Sequence, residues 1–273
     1  MERAVVSPPV SPPPMNGAPV LEASGVSKHY RGLVALADYS VRIAPRAIHG
    51  IIGPNGAGKT TLFNLLSGMV PPSSGSIRVL GTEIAGLPPH AVSRLGIART
   101  FQNIRLFDDM SVIDNVKVAV QGHRPASMAA TLVNSRAFRR GEAEIEARSA
   151  ELLDLVGLLD RADREAGSLP YGGQRRLEIA RAVAVNPKAL LLDEPSAGMN
   201  QSETAGLLAL IRRLRDDFGI TIVLVAHDIP LVMNLCDRIQ VLNYGVLIAD
   251  GDPTAVRVDP EVVAAYLGQA RHA

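Results

Sequence analysis

Three short stretches of the chain are apolar almost throughout rather than at every second residue: Ala47 to Ile52, Ala189 to Leu192 and Thr221 to Ala226. Such runs predict strands covered on both faces, the pattern of a parallel sheet buried between layers. Upstream, Leu21 to Tyr30 and Leu36 to Ile43 read as strands, with turn chemistry at Arg31-Gly32 and Pro45-Arg46. A Pro/Ser/Gly loop from Gly68 to Gly75 precedes another strand, Ser76 to Leu80. A short helix over Pro89 to Leu95 leads to a strand from Gly96 to Phe101 that ends at Gln102. From Ser111 to about Ala166 the pattern turns helical. It has an apolar stretch from Val112 to Val120, a break near Gly122 to Pro125, and a charged Ala/Leu-rich run from Gly141 to Leu159. The α/β alternation resumes with a strand from Ala189 to Glu194, a helix from Thr204 to Phe218 and a strand from Thr221 to His227. An α/β protein with a mostly parallel core sheet and a helical insertion is therefore expected.

The first of the buried strands runs into Gly53-Pro54-Asn55-Gly56-Ala57-Gly58-Lys59-Thr60-Thr61, and an apolar helix start follows at Thr60 to Ser67. Gly53, Gly58, Lys59 and Thr60 form the G-x-x-x-x-G-K-[ST] pattern between strand and helix, the context that makes it a phosphate site. Glycines let the backbone wrap closely enough for several N-H groups to face phosphate oxygens at the positive end of a helix. Lys59 would reach the β and γ phosphates, and the Thr60 hydroxyl would ligate Mg2+. In a parallel sheet ligands bind beyond the carboxyl ends of the strands, where the loop, Glu194 and His227 would converge. Asp193 and Glu194 follow an apolar run and are expected on opposite sides of their strand, so their roles should differ. Tyr30, at the end of the first strand, could stack on an adenine ring or be an ordinary surface tyrosine.

Composition narrows the classes. The chain has 273 residues, 47% hydrophobic, enough for one large domain or two closely joined lobes. A net charge of +1 gives no bulk reason to expect nucleic acid. Arg136, Arg139 and Arg140 beside Glu142, Glu144 and Glu146 read as a solvated helix face. The single cysteine, Cys236, rules out an internal disulfide framework and reads as a small buried apolar residue. No run approaches the about eighteen apolar residues of a membrane span, so a membrane role would come through a partner. Residues 1–20 hold six prolines and read as an extended, disordered arm, in which Met15 is a candidate start. The folded domain is expected over residues 21–268, with a tail at 269–273.

The phosphate loop, Gln102, the stretch Leu169 to Arg181 (LPYGGQRRLEIAR), Leu190-Leu-Leu-Asp-Glu194 and His227 occur in this order. With them the chain resembles ATP-binding-cassette (ABC) ATPases from about residue 21 to its end. The resemblance implies a mostly parallel core sheet, an antiparallel β subdomain and a helical subdomain inserted at about residues 103–187. It assigns Tyr30 to adenine stacking and Gly53, Pro54, Asn55, Gly56, Ala57, Gly58, Lys59, Thr60 and Thr61 to ATP. Asp193, Thr60 and Gln102 would serve Mg2+, with Gln102 sensing metal and water. Glu194 would polarise the attacking water and His227 would contact the γ phosphate. Tyr171, Gly172, Gly173 and Gln174 would face the ATP bound to a second cassette subunit, with hydrolysis needing the dimer.

Two positions depart from the commoner family pattern: Tyr171 stands where serine is usual, and Asn200 where aspartate is. His227 is preceded by Ala226 where this branch often has glutamate. The stretch Tyr171 to Arg181 resembles the ATPases of bacterial branched-chain amino acid importers. So do Arg99 to Phe107 (RTFQNIRLF), Ala197 to Asn200 (AGMN) and Asp259 to Gly268 (DPEVVAAYLG). The long helical insertion, with Phe138-Arg-Arg140, is similar to the larger of the two ATPase subunits in such systems. Urea and amide importers and the ATPase of lipopolysaccharide export share much of this pattern. The implied partners are transmembrane permease subunits, a second ABC ATPase subunit (a paralogue or a copy of this chain) and, indirectly, a periplasmic substrate-binding protein, with no nucleic acid. The implied location is the cytoplasmic face of the cell membrane. Asn103 to Met110 would touch a transmembrane subunit, with Leu106, Phe107 and Met110 suited either to that groove or to local packing.

Overall fold

The computed structural model describes residues 17–122 and 136–267. The expected tail, nearly all of the proline-rich arm and part of the break near Gly122 to Pro125 lie outside these. Val20, the last residue assigned to the arm, is buried, and its backbone bonds Ile43 and Leu80 on either side.

Strands β1 (Leu21–Tyr30), β2 (Leu33–Ile43), β4 (Ser74–Val79) and β5 (Thr82–Glu83) make an antiparallel sheet in the order β2-β1-β4-β5. β2 begins earlier than expected because Arg31 and Gly32 both take positive φ, 43° and 96°. That closes a two-residue hairpin and pairs Tyr30 directly with Leu33. A second sheet has the order β10-β9-β3-β8-β7-β6, built from β3 (Ile48–Ile52), β6 (Ile97–Arg99), β7 (Ala189–Asp193), β8 (Thr221–Val225), β9 (Arg238–Asn243) and β10 (Val246–Gly251). All its neighbours are parallel except β10 on β9. The period of two in these strands divides the core. Leu190, Leu192, Ile222 and Leu224 pack with the helices on one side. Leu191, Val223, Val225 and Ile51 pack with Leu21, Val26, Tyr39 and Val41 of the antiparallel sheet on the other.

Helix α1 (Lys59–Leu66) follows β3, and α2 (Pro89–Arg94) precedes β6. Helices α3 (Val112–Gln121), α4 (Arg136–Leu155) and α5 (Tyr171–Val183) form the helical part between β6 and β7. α3 is capped by Ser111, whose hydroxyl accepts from the Asp114 N-H. α4 starts five residues before the expected Gly141 and ends at Leu155. Arg139, Arg140, Glu142 and Glu144 on it are exposed, whereas Glu146 forms an ion pair with Lys117 of α3. Helices α6 (Gln201–Asp216), α7 (Ile229–Leu235), α8 (Pro253–Val258) and α9 (Pro260–Leu267) complete the chain. No helix among the described residues is long and apolar enough to cross a membrane. Cys236 is free and buried.

Two expected strand ends are corrected. β6 stops at Arg99 rather than Gln102, because beyond the Thr100 N-H bond to Leu191 the backbone bonds side chains of α5 instead of the sheet. β7 stops at Asp193, and Glu194 has a left-handed φ of 46°. The two acids therefore separate through a turn and not through strand alternation.

One polar residue sits inside the central strand. His49 of β3 is buried, its Nε2 has no hydrogen-bond partner, and burial lowers its pKa to about 4. The nearby Asp250, Gln240 and Asp237 oppose that shift, and Arg238 adds to it. Between pH 6.5 and 4 the unfolded chain binds this proton and the folded chain does not. Stability should therefore fall as the pH drops through that window, by up to about 3 kcal/mol. Urea unfolding of the native chain and of His49→Leu should show it: their difference in stability changes between pH 7 and pH 4.5 and is flat above pH 7.5.

Candidate functional site

The sharp turn after β3 is possible only with glycine. Gly53 has φ 152°, and a β-carbon there would stand 2.1 Å from the Leu242 carbonyl oxygen; at Gly58, φ 101°, it would stand 2.6 Å from that of Ala35. The loop is thus pressed against the backbones of β2 and β9. Gly58 delivers the chain into α1, whose first N-H groups have no intrahelical partner and face the open end of the sheet. Lys59 folds back over the loop, and its Nζ donates to the carbonyls of Gly53 (2.6 Å) and Pro54 (2.8 Å). Burial lowers its pKa, against the pull of Glu194 and Asp193.

A cavity of about 570 Å3 opens above this loop. Its wall includes Asn55, Gly56, Ala57, Gly58, Lys59, Thr60 and Thr61, together with Gln102, Glu194 and His227. Three carboxyl-end positions of the sheet meet there. Glu194 Oε1 lies 2.7 Å from His227 Nε2, and Gln102 Nε2 donates to Glu194 Oε2 at 3.3 Å. The Glu194 N-H donates to the Val225 carbonyl (2.9 Å), which fixes the left-handed turn. Such a backbone position costs about 1 kcal/mol or more and persists only where neighbours hold it.

Asp193 stands behind that wall. Its Oδ2 takes a hydrogen bond from Arg99 Nη2 at 3.0 Å, and both side chains are 7% exposed. Arg99 also donates to Asn64 Oδ1 (2.7 Å) and Ser67 Oγ (3.1 Å), between the rings of Phe63 and Phe101. Arg99 was legible only as part of a motif; a cation within an apolar run, one strand away from two acids, was the signal of its own.

Other expected residues stand apart. Tyr30 is half-exposed, with Lys28 Nζ 5.1 Å from its ring centre, and does not line the cavity. Leu33, Val34, Ala35 and Tyr244 do. Tyr244 is 78% exposed in the β9–β10 turn, and the turn is tied to the loop by the Gly245 N-H bond to Ala57. Tyr171, Gly172, Gly173 and Gln174 begin α5 and do not line the cavity either. Asn200 caps α6 in a reciprocal box: its Oδ1 accepts from Glu203 N (2.9 Å), and the Glu203 carboxylate accepts from Asn200 N (3.1 Å). Asparagine serves that cap as well as aspartate would.

Residues 36–197 match the family model described as ABC transporter. The chain belongs to this family. Residues 246–272 match a second model, branched-chain amino acid ATP-binding cassette transporter. The chain is 46% identical over 252 residues to the high-affinity branched-chain amino acid transport ATP-binding protein BraF of Pseudomonas aeruginosa, covering 92% of this chain and 99% of the relative. It is 43% identical to LivG of Escherichia coli, described in the same words, with the same coverage. The lipopolysaccharide export system ATP-binding protein LptB of E. coli is 35% identical, over 91% of this chain and 97% of its own. An ATP-binding cassette of an ABC transporter solved in its ADP conformation superposes with a TM-score of 0.79 at 29% identity, covering 91% of this chain and 98% of that one.

For a nucleotide-binding cassette, the aromatic in the wall should matter. Tyr244→Ala is expected to weaken ATP binding about ten-fold, in line with the loss of one base-stacking contact, and to leave inorganic triphosphate binding unchanged. A fluorescence titration with both ligands checks this, and the same titration on Tyr30→Ala measures the residue that the family resemblance assigns to adenine.

Proposed function

We propose that this ABC-type ATPase energises an importer for branched-chain or other hydrophobic amino acids from the cytoplasmic face of the cell membrane. The reading of the site rests on one observation above the others: Glu194 sits between His227 and Gln102 in the cavity that the phosphate loop floors. The 246–272 match and the similarity to BraF and LivG support the choice of cargo class. LptB, at lower identity, supports lipopolysaccharide export as the weaker reading.

In this proposal the loop Gly53 to Thr61, through its backbone N-H groups (Pro54 has none), and the α1 N-terminus bind the phosphates. Lys59 exchanges its carbonyl partners in the loop for β- and γ-phosphate oxygens. Glu194 takes the proton of the attacking water, and His227 holds the γ phosphate in line. Thr60, Gln102 and Asp193 offer only oxygen donors near the phosphates, a set that suits Mg2+. When bound, that ion would neutralise charge on the β- and γ-phosphate oxygens. The Arg99 bond to Asp193 Oδ2 fixes that carboxylate beside the cavity wall, which supports this role, and Lys59 is near enough to both acids to feel their charge.

Tyr171, Gly172, Gly173 and Gln174 lie away from the cavity, consistent with a role toward the ATP of a second cassette subunit, a paralogue or another copy. Asn103 to Met110 would meet a permease subunit. Phe107 is 45% exposed there, which supports the groove reading, whereas Leu106 packs on the core, which supports local packing at that residue. A periplasmic binding protein would act through the permease, and no nucleic acid is involved.

Glu194→Gln should lower ATP turnover by at least about a thousand-fold while preserving ATP affinity, and should trap the ATP-bound dimer. Phosphate-release kinetics and light scattering with the second cassette subunit check both. Turnover within ten-fold of the native rate would remove Glu194 as the base.

A further inference from the structure

Between the segment after β6 that carries Gln102 and the helix that carries Tyr171 to Gln174 lies a fully buried guanidinium. Arg175, in the second turn of α5, is 0% exposed and Glu178 only 6%. Arg175 Nη1 donates to the Phe101 carbonyl (2.6 Å) and to Glu178 Oε2 (2.7 Å). Its Nη2 donates to the Gln102 carbonyl (2.9 Å) and to the Tyr171 hydroxyl (3.1 Å). Glu178 Oε1 accepts the Phe101 N-H at 3.0 Å. One ion pair thus satisfies an amide and two carbonyls at the place where the chain has left the sheet, whose last ladder bond is Thr100 N-H to Leu191.

This arrangement divides Gln102 between two sites. Its side chain reaches Glu194 in the cavity, while its carbonyl hangs on α5. Bonds to charged groups are short and directional, so a shift of the backbone at residues 101 and 102 must carry the Arg175 fork with it or break several bonds in a place without water. The fork in turn holds the hydroxyl of Tyr171, the residue that replaces the usual serine. The Tyr171 ring rests where a β-carbon on Gly198 would come within 3.3 Å, and a β-carbon on Gly172 would come within 2.6 Å of Glu203 Oε1. The start of α5 is therefore in close contact with Gly198 and with Glu203 in the first turn of α6.

We propose that Arg175 and Glu178 are positioning residues that fasten the Phe101–Gln102 backbone to α5, so that ATP in this chain's cavity sets the placement of Tyr171 to Gln174. The proposal rests on the ATP reading above and adds a physical link from the cavity to the surface offered to the second subunit. Neither residue touches the nucleotide. Their loss should leave ATP binding in place and uncouple α5 from it.

Hydrogen exchange on the full-length Glu194→Gln chain tests this, with and without Mg·ATP, at a concentration where light scattering shows monomers. In the parent, ATP should slow exchange both at residues 53–66 and at residues 171–178. Adding Arg175→Lys, which keeps the charge and loses the fork, should leave the loop response and keep ATP affinity within about two-fold, while the α5 response disappears. If thermal melting shows that variant unfolded, Glu178→Gln, which keeps an acceptor for Phe101 N-H, should show the same separation. An α5 response absent in the parent, or undiminished in the folded variants, overturns the proposal. So does loss of ATP affinity together with the α5 response, which would make the pair a mere support for the fold. Absence of loop protection in the parent would instead remove the ATP reading itself.

Discussion

The contact on which the rest depends is the one Glu194 makes with His227 and Gln102. It joins the ends of β7, β8 and β6, which are separate in sequence and adjacent only because the sheet order places them so. Glu194 achieves it by leaving the strand in a left-handed conformation, a strained turn held by backbone bonds to Val225 and Ala197. Asp193, one residue earlier, stays in the ladder and turns to Arg99. Two adjacent carboxylates thereby acquire different surroundings, one open to the cavity and one paired and buried. That difference is what the proposed roles require, the attacking water for Glu194 and Mg2+ for Asp193.

From this cluster the structure extends in two directions. Toward the loop, Lys59 is held by Gly53 and Pro54, in a place where burial works against its charge and Glu194 and Asp193 favour it. Toward the helical part, the backbone of Phe101 and Gln102 bonds Arg175, and the Phe101 N-H bonds Glu178. The cavity and the first turn of α5 are thus connected through a few buried polar groups rather than through apolar packing, which tolerates sliding.

Much of this was legible in the sequence where a local pattern carries the physics. Unalternating apolar runs identified β3, β7 and β8; the spacing of Gly53, Gly58, Lys59 and Thr60 identified the loop; and the loop, Glu194 and His227 meet in one cavity, as the strand ends implied. What escaped depends on distance in the chain. Tyr244 and Ala35 reach the cavity only because their hairpins are stitched together by Ala37 N-H to Gly245 and Gly245 N-H to Ala57. Arg175 and Glu178, three apart on a helix, look like any solvated pair; nothing local says that an unpaired stretch of backbone will be laid on them. The ends of β6 and β7 were misplaced for the same reason, since the side chains of Arg175 and Glu178 in one case and the turn at Glu194 in the other take over the backbone there.

The central claim is that this cavity is half of a hydrolytic site, completed by a second cassette. Turnover per chain, measured over a dilution series of the full-length protein with its second cassette subunit, tests it most directly. Turnover per chain should fall on dilution in step with the fraction of dimer seen by light scattering. Turnover per chain that stays constant where only monomers remain would contradict it.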